Sequence, residues 1–175
     1  MAVTIDATVG GEDSNSYVTL AESETYFEYR PFSTDWLALT DDEKSQYLIY
    51  ATLLIDNMLL PYGTIASDTQ KLNFPREDLY DCNGRELDSD IIPDEIKYSQ
   101  MEQAIYLYTS GDITSEPSIL SKGIKSAKVG DLSVTLDSLN VANKLSDQTI
   151  NFLRCYGVIT AGATANISMV QTYRN

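Results

Sequence analysis

The sequence contains no histidine and only two cysteines. Without histidine there is no Ser-His-Asp or Cys-His nucleophile system, no HExxH zinc site and little scope for transition-metal binding. Carboxylates, lysine and tyrosine remain as catalytic groups, but the commonest general base is missing. Cys82 and Cys155 stand far apart in the chain. Metal sites show closely spaced pairs, so the expectation is two free thiols in a reducing cytosol. Long apolar runs are also lacking. The longest candidate, Tyr47 to Leu60, is interrupted by Thr52, Asp56 and Asn57 and falls short of the ~18 residues a membrane helix needs. The opening MAVTIDATVGG has neither the basic region nor the apolar core of a secretory signal. No GxGxxG or P-loop lysine motif occurs, so no nucleotide site is expected. These absences predict a soluble, cytosol-made, non-enzymatic protein with no cofactor, metal or membrane partner.

Positive charge is scarce and unevenly placed. The 175 residues carry 12 basic and 26 acidic groups, for a net charge of −14. Residues 1–117 hold 23 acids and 6 bases, for −17, and residues 118–175 hold 3 acids and 6 bases, for +3. Gripping phosphate takes clusters of lysine and arginine that release counterions. The acidic part is poorly made for that, and the asymmetry suits a chain whose two parts meet different partners.

What is present reads as helix. Thr19-Leu20-Ala21-Glu22 and Thr40-Asp41-Asp42-Glu43 are both capping boxes, each opening a helix. The first helix is expected over 20–30, with Leu20, Phe27 and Tyr26 inward and Pro31 as its stop. The second, over 41–60, carries Tyr47, Tyr50, Ala51, Leu54 and Met58 at three- and four-residue steps. Leu48, Ile55 and Leu59 widen its stripe, as in a central helix touched on several sides. Residues 64–92 read as connection, with a short helical turn from Ser67 and an extended Phe74-Pro75-Arg76. Pro93 opens a third helix over 94–110, with Ile96, Met101, Ala104, Ile105 and Tyr108 inward. After Pro117 the period changes to two. Residues 124–129 and 132–136 flank a Gly130-Asp131 turn as a β-hairpin, and a short helix near 146–156 follows. The expected fold is mainly α: a small bundle of three principal helices with a β-hairpin insertion and an extended C-terminal arm. The expected division is an acidic helical body, 1–117, and a region 118–175 holding the hairpin, the short helix and the arm. Trp36, Ile55, Phe74 and Ile105 are expected in one core.

Few segments invite a functional reading. Asp81 to Asp90 is rich in oxygen ligands, but Gly84 is fourth from Asp81 where a calcium loop needs glycine sixth. It reads as a solvated loop. The acids at 41–43 sit at a helix start and read as capping. The twelve tyrosines suit core packing or a partner interface. Lys122, Lys125 and Lys128 form the one basic cluster, fit to touch DNA, to meet an acidic neighbour or to protect a strand edge. Residues 157–175 are small, polar and poorly periodic, as in an arm that orders on a partner. Val158, Ile159, Ile167, Met169, Val170 and Tyr173 are its candidate docking contacts.

The order of landmarks resembles a phage family. Ser14-Asn15-Ser16-Tyr17-Val18-Thr19-Leu20-Ala21-Glu22, with Tyr26-Phe27, is similar to the SNSYVTLAEAxxYF opening of tailed-phage head-to-tail adaptor proteins. Trp36 and Lys44 come next. Ala51-Thr52-Leu53-Leu54-Ile55-Asp56 resembles the family's A-T-xx-I-D, and Gln70 to Arg76 its Q-x-L-x-[WF]-P-R. Gly84, Ile92-Pro93-Asp94-Glu95-Ile96, Glu102 and Ala104 resemble the segments that follow. The resemblance covers residues 14–108, and 118–175 match only loosely. Such proteins often carry the label DnaT-like single-stranded-DNA-binding protein. The resemblance implies a structural subunit of the virion, assembled in the host cytoplasm into a ring of about twelve copies. That ring would join the portal protein, through the C-terminal arm, to a downstream tail or nozzle protein, and let double-stranded DNA pass without specific binding. The alternative is a DnaT-like single-stranded-DNA-binding replication protein, which needs a basic groove with aromatic platforms.

Overall fold

A computed structural model describes residues 3–110, 126–129, 132–135 and 145–160. The described residues fall into two compact units, one formed by 3–110 with 145–160, the other by the two strands within 126–135. The fold is mainly α, a small helical bundle with a hairpin, and five helices occur among the described residues: α1 (Leu20–Tyr29), α2 (Thr34–Leu37), α3 (Asp41–Met58), α4 (Asp94–Ser110) and α5 (Asp147–Leu153). Both capping boxes form. The Glu22 carboxylate accepts from Thr19 N–H at 2.7 Å while Glu22 N–H donates to Thr19 Oγ1 at 3.2 Å. Thr40 and Glu43 repeat the exchange at 2.9 and 3.4 Å. Each box satisfies amides that a bare helix start leaves unpaired. Ser146 does the same for α5, accepting from Thr149 N–H at 3.1 Å.

Helix α3 lies at the centre, packed against α4, and α4 packs in turn against α5. The expected foursome meets: Trp36, Ile55, Phe74 and Ile105 are all buried in one apolar cluster with Phe27, Leu48, Ile96 and Leu153. Trp36 sits among Phe27, Tyr47 and Tyr108, ring centroids 4.8, 6.0 and 6.2 Å away. It rides on the short helix α2, which the sequence reading did not anticipate. Among the described residues its indole N–H is the one buried side-chain group without a hydrogen-bond partner.

Polar side chains lock the lead-in to the bundle. Gln100, fully buried on α4, accepts from Tyr17 N–H at 2.9 Å and donates to Ser16 Oγ and the Leu48 carbonyl at 2.7 and 3.0 Å. Tyr17 donates its phenolic hydrogen to Asp56 on α3. Asp56 also accepts from Asn73 N–H at 3.1 Å, and the Asn73 amide donates back to the Asp56 carbonyl at 2.9 Å. Burial pushes the Asp56 carboxyl up, against the pull of these donors.

The connection from α3 to α4 differs from expectation in detail. Residues from Ser67 form a hydrogen-bonded turn and no helix, because Gln70 turns back on itself. Its Oε1 accepts from Ser67 N–H at 3.0 Å, and its Nε2 donates to the Leu72 and Pro75 carbonyls at 2.8 and 3.0 Å. The Phe74–Pro75 peptide is cis, and Phe74 is buried against Tyr17. Two short strands, β2 (Thr64–Ile65) and β3 (Arg76–Glu77), pair antiparallel. Gly63 before β2 has φ +68, and a Cβ there would strike the Glu77 carbonyl oxygen, so only glycine fits the turn.

Two expectations need correction. Cys82 and Cys155 are not free thiols: they form a disulfide across 73 residues, with Cα atoms 5.3 Å apart. Separation along the chain says nothing of separation in space, and the 81–90 loop returns against the end of α5. The C-terminal arm does not begin at Gly157. Residues Gly157–Ile159 form β6, which pairs antiparallel with β1 (Leu59–Pro61) in the register Leu59↔Ile159, Leu60↔Val158, Pro61↔Gly157. Thr160 N–H then donates to the Met58 carbonyl at 2.7 Å. Gly157 lies so close to Leu60 that a Cβ would collide with its carbonyl oxygen. Helix α5 and β6 thus belong to the helical body. The other unit is the expected hairpin, β4 (Ser126–Val129) with β5 (Leu132–Thr135), in the register Ser126↔Thr135 to Val129↔Leu132. Its Gly130-Asp131 turn lies outside the described residues.

Candidate functional site: an aromatic groove on an acidic body

Helices α1 and α4 leave a groove of about 720 Å³ between them, lined by Val18, Ala21, Met101 and the tyrosines Tyr26, Tyr29 and Tyr98. Tyr26 and Tyr98 stack with centroids 5.5 Å apart and planes at 24°. Tyr98 in turn leans on Phe152 of α5 at 5.8 Å. Tyr26 is half-buried against the apolar core, as expected. Tyr29, at the C-terminal end of α1, is instead 84% exposed.

The charges around the groove are matched in pairs. Arg30 meets Glu102 through Nε at 2.6 Å and through a second guanidinium nitrogen at 2.9 Å, the fork geometry that arginine favours. The Tyr26 hydroxyl donates to the same carboxylate at 2.7 Å. Its ionisation is pushed well above the usual phenol range by burial and by that hydrogen bond. The Glu102 hydrogen bond likewise raises the Arg30 guanidinium, against the opposing pull of burial. Lys97 reaches Glu22 at 3.0 Å. Burial works to raise Glu22, but the Thr19 amide and Lys97 outweigh it and hold the carboxyl low.

The same accounting extends over the acidic body. Lys44 pairs with Glu24 at 2.9 Å and Arg85 with Asp81 at 2.7 Å. Arg76 donates to the carbonyls of Tyr62, Gly63 and Asn73 at 2.6, 2.9 and 3.1 Å. Of the six cations in residues 1–117, five are thereby held by the chain's own carboxylates or carbonyls. The sixth, Lys71, lies within electrostatic reach of Asp6. The oxygen-rich 81–90 loop uses its best ligand internally. Asp81 accepts from Asn83 and Arg85 N–H at 2.8 and 2.9 Å, which folds the loop as a turn. Among the described residues no group of three or more acidic, histidine or cysteine side chains is placed to hold a metal ion.

The predicted contacts divide as follows. Ile159 packs on the body's own core and Val158, opposite Leu60, is half exposed. Ile167, Met169, Val170 and Tyr173 lie outside the described residues, as do Lys122 and Lys125. Lys128 falls on β4, where only the backbone is described. The groove itself was missed. Its signal, tyrosines at 26, 29 and 98 on two helices, cannot be assembled without knowing that those helices are neighbours.

A family model described as "Putative DnaT-like ssDNA binding protein" matches residues 1–175. The chain belongs to this family. No curated protein and no solved structure matches it. In this DnaT-like chain Ser16, Tyr17, Asp56 and Glu102 each bond another part of the body, and Gln70 braces its own turn.

Proposed function

We propose that this DnaT-like protein is a structural, non-enzymatic head-to-tail adaptor of a tailed phage. In this reading its copies form a ring that joins the portal to the tail and lets DNA pass. The observation that carries the reading is the commitment of five of the six cations in residues 1–117. Electrostatic grip on a phosphate chain requires free positive groups whose counterions are released on binding. Here residues 1–117 carry −17 of net charge, and five of their six cations are already bound to carboxylates and carbonyls. Such a surface repels DNA, which suits a passage and defeats a grip. Purified virions from a lysate carrying the gene are expected to contain the chain in about portal stoichiometry. Particles with portal and tail proteins but no copy of this chain contradict the reading.

A second reading, binding of single-stranded DNA, is favoured by the family description. Tyr26, Tyr29 and Tyr98 would serve as stacking platforms, with phosphates held by the net +3 of residues 118–175. Salt-dependent DNA affinity of the full chain separates it from the first.

A further inference from the structure

The Cys82–Cys155 disulfide joins two segments that each have other attachments. On one side, buried Leu79 and half-buried Leu87 seat the loop on the apolar core. Between them the loop closes on its own bonds. Leu87 N–H donates to the Leu79 carbonyl at 2.8 Å, Asp81 N–H to the Arg85 carbonyl at 2.8 Å and Gly84 N–H to the Asp81 carbonyl at 3.0 Å. On the other side, Cys155 lies between Leu153 and Tyr156, both fully buried. The Tyr156 hydroxyl donates to Glu95 of α4 at 2.7 Å, and its carbonyl accepts from Tyr62 N–H at 2.9 Å. Opening the disulfide leaves all of these bonds in place. Two thiols held near each other in this way re-form their bond readily.

The two sulfurs differ in access. Cys82 is exposed on its loop, and Cys155 is half-buried at the corner between α5 and β6. Exposed disulfides are the labile ones in thiol exchange, whereas structural bonds resist it.

We infer that Cys82–Cys155 is a reversible thiol–disulfide exchange site that latches the 79–87 loop to the α5–β6 corner, with a small thiol such as glutathione as its reaction partner. A glutathione thiolate attacks the Cys82 sulfur. A mixed disulfide forms there while the Cys82–Cys155 bond breaks, and the electron pair leaves on Cys155, which takes up a proton. A second glutathione thiolate attacks the glutathione sulfur of the mixed disulfide. Oxidised glutathione departs, and the Cys82 thiolate takes up a proton. Two glutathione thiols are oxidised and the chain's disulfide is reduced to two thiols. A reducing cytosol holds the latch open and an oxidising medium closes it. The site is independent of the adaptor reading.

A redox titration of the full chain in glutathione buffers tests it, with free thiols blocked by a maleimide in acid and counted by mass. Samples started oxidised and samples started reduced are expected to converge on one curve. The curve should pass from closed to open over about a hundredfold rise in the ratio of squared reduced to oxidised glutathione. The far-ultraviolet circular dichroism should be the same at both ends, while amide exchange rises in 78–90. A bond that resists the most reducing buffer overturns the inference. So does a reduced chain that loses its helical signal or fails to close again. Single-thiol variants test which sulfur is attacked. Cys82 in Cys155→Ser is expected to take up glutathione from its disulfide at least tenfold faster than Cys155 in Cys82→Ser. Equal or reversed rates overturn the assignment of Cys82 as the attacked sulfur.

Discussion

Helices α3 and α4 bury Leu48, Ile55, Ile96, Ala104 and their neighbours along a shared face. Residues 59–93, the connection between them, bury fewer apolar side chains: Leu59, Phe74, Leu79 and Ile92. The helices owe their order to burial and capping, terms spread over many residues. The connection owes its order to a few specific attachments: Asn73 on Asp56, Arg76 on three carbonyls, and Cys82 on Cys155. Losses in the helical frame should therefore be felt globally. Losses in the connection should be felt at the attachment removed, and in proportion to how much chain it ties down.

The largest effect is expected in the frame. Ile55 is fully buried between the helices, and Ile55→Ala should cost about 2–5 kcal/mol in denaturant unfolding. A loss below about 1 kcal/mol would mean that α3 is not the central element. Next comes the covalent tie of the connection. Cys82→Ser removes a bond spanning 73 residues and should cost about 2–4 kcal/mol. Hydrogen exchange should rise first in 78–90 and in α5. Equal stability of the mutant and the oxidised wild type would show that the loop is held without the bond.

Helix starts, helix stops and the membership of Trp36, Ile55, Phe74 and Ile105 in one core were legible in the sequence, because capping boxes, Pro93 and apolar periodicity are local signals. The disulfide, the β1–β6 pairing and the Arg30–Glu102 bridge were not. Each joins residues more than 70 positions apart, and no local pattern in Cys82, Val158 or Arg30 names its partner. The groove was hidden for the same reason. Charge, by contrast, was legible in sum but not in placement: the −17 could be counted, whereas the pairing of Lys44 with Glu24 and Lys97 with Glu22 needed the fold.

Smaller effects sharpen the comparison inside the connection. Arg76→Lys replaces a fork that reaches three carbonyls with a single ammonium group. The expected cost is about 1–2 kcal/mol, with new exchange at Tyr62 and Gly63. A cost below about 0.3 kcal/mol would reduce those bonds to incidental surface contacts. The smallest effect is a pH dependence at Asp81. The Arg85 backbone amide, with help from the Arg85 side chain and Asn83, holds its carboxyl down at about 2 against an ordinary 3.8. An acid depressed in the folded state stabilises the fold above its unfolded pKa and loses that contribution as pH falls through its folded pKa. The Asp81 contribution should therefore be whole above about pH 4 and fade between there and about pH 2. Asp81→Asn should flatten the acid limb of the melting-temperature profile in that window. An unchanged limb contradicts the assignment.

The central claim is that the chain does not grip nucleic acid, and a fluorescence titration of labelled single-stranded DNA with the full chain tests it most directly. At near-physiological salt the account predicts a dissociation constant weaker than about 10 µM. Affinity tighter than about 10 µM that falls steeply with added salt would contradict it and establish the single-stranded-DNA reading in its place.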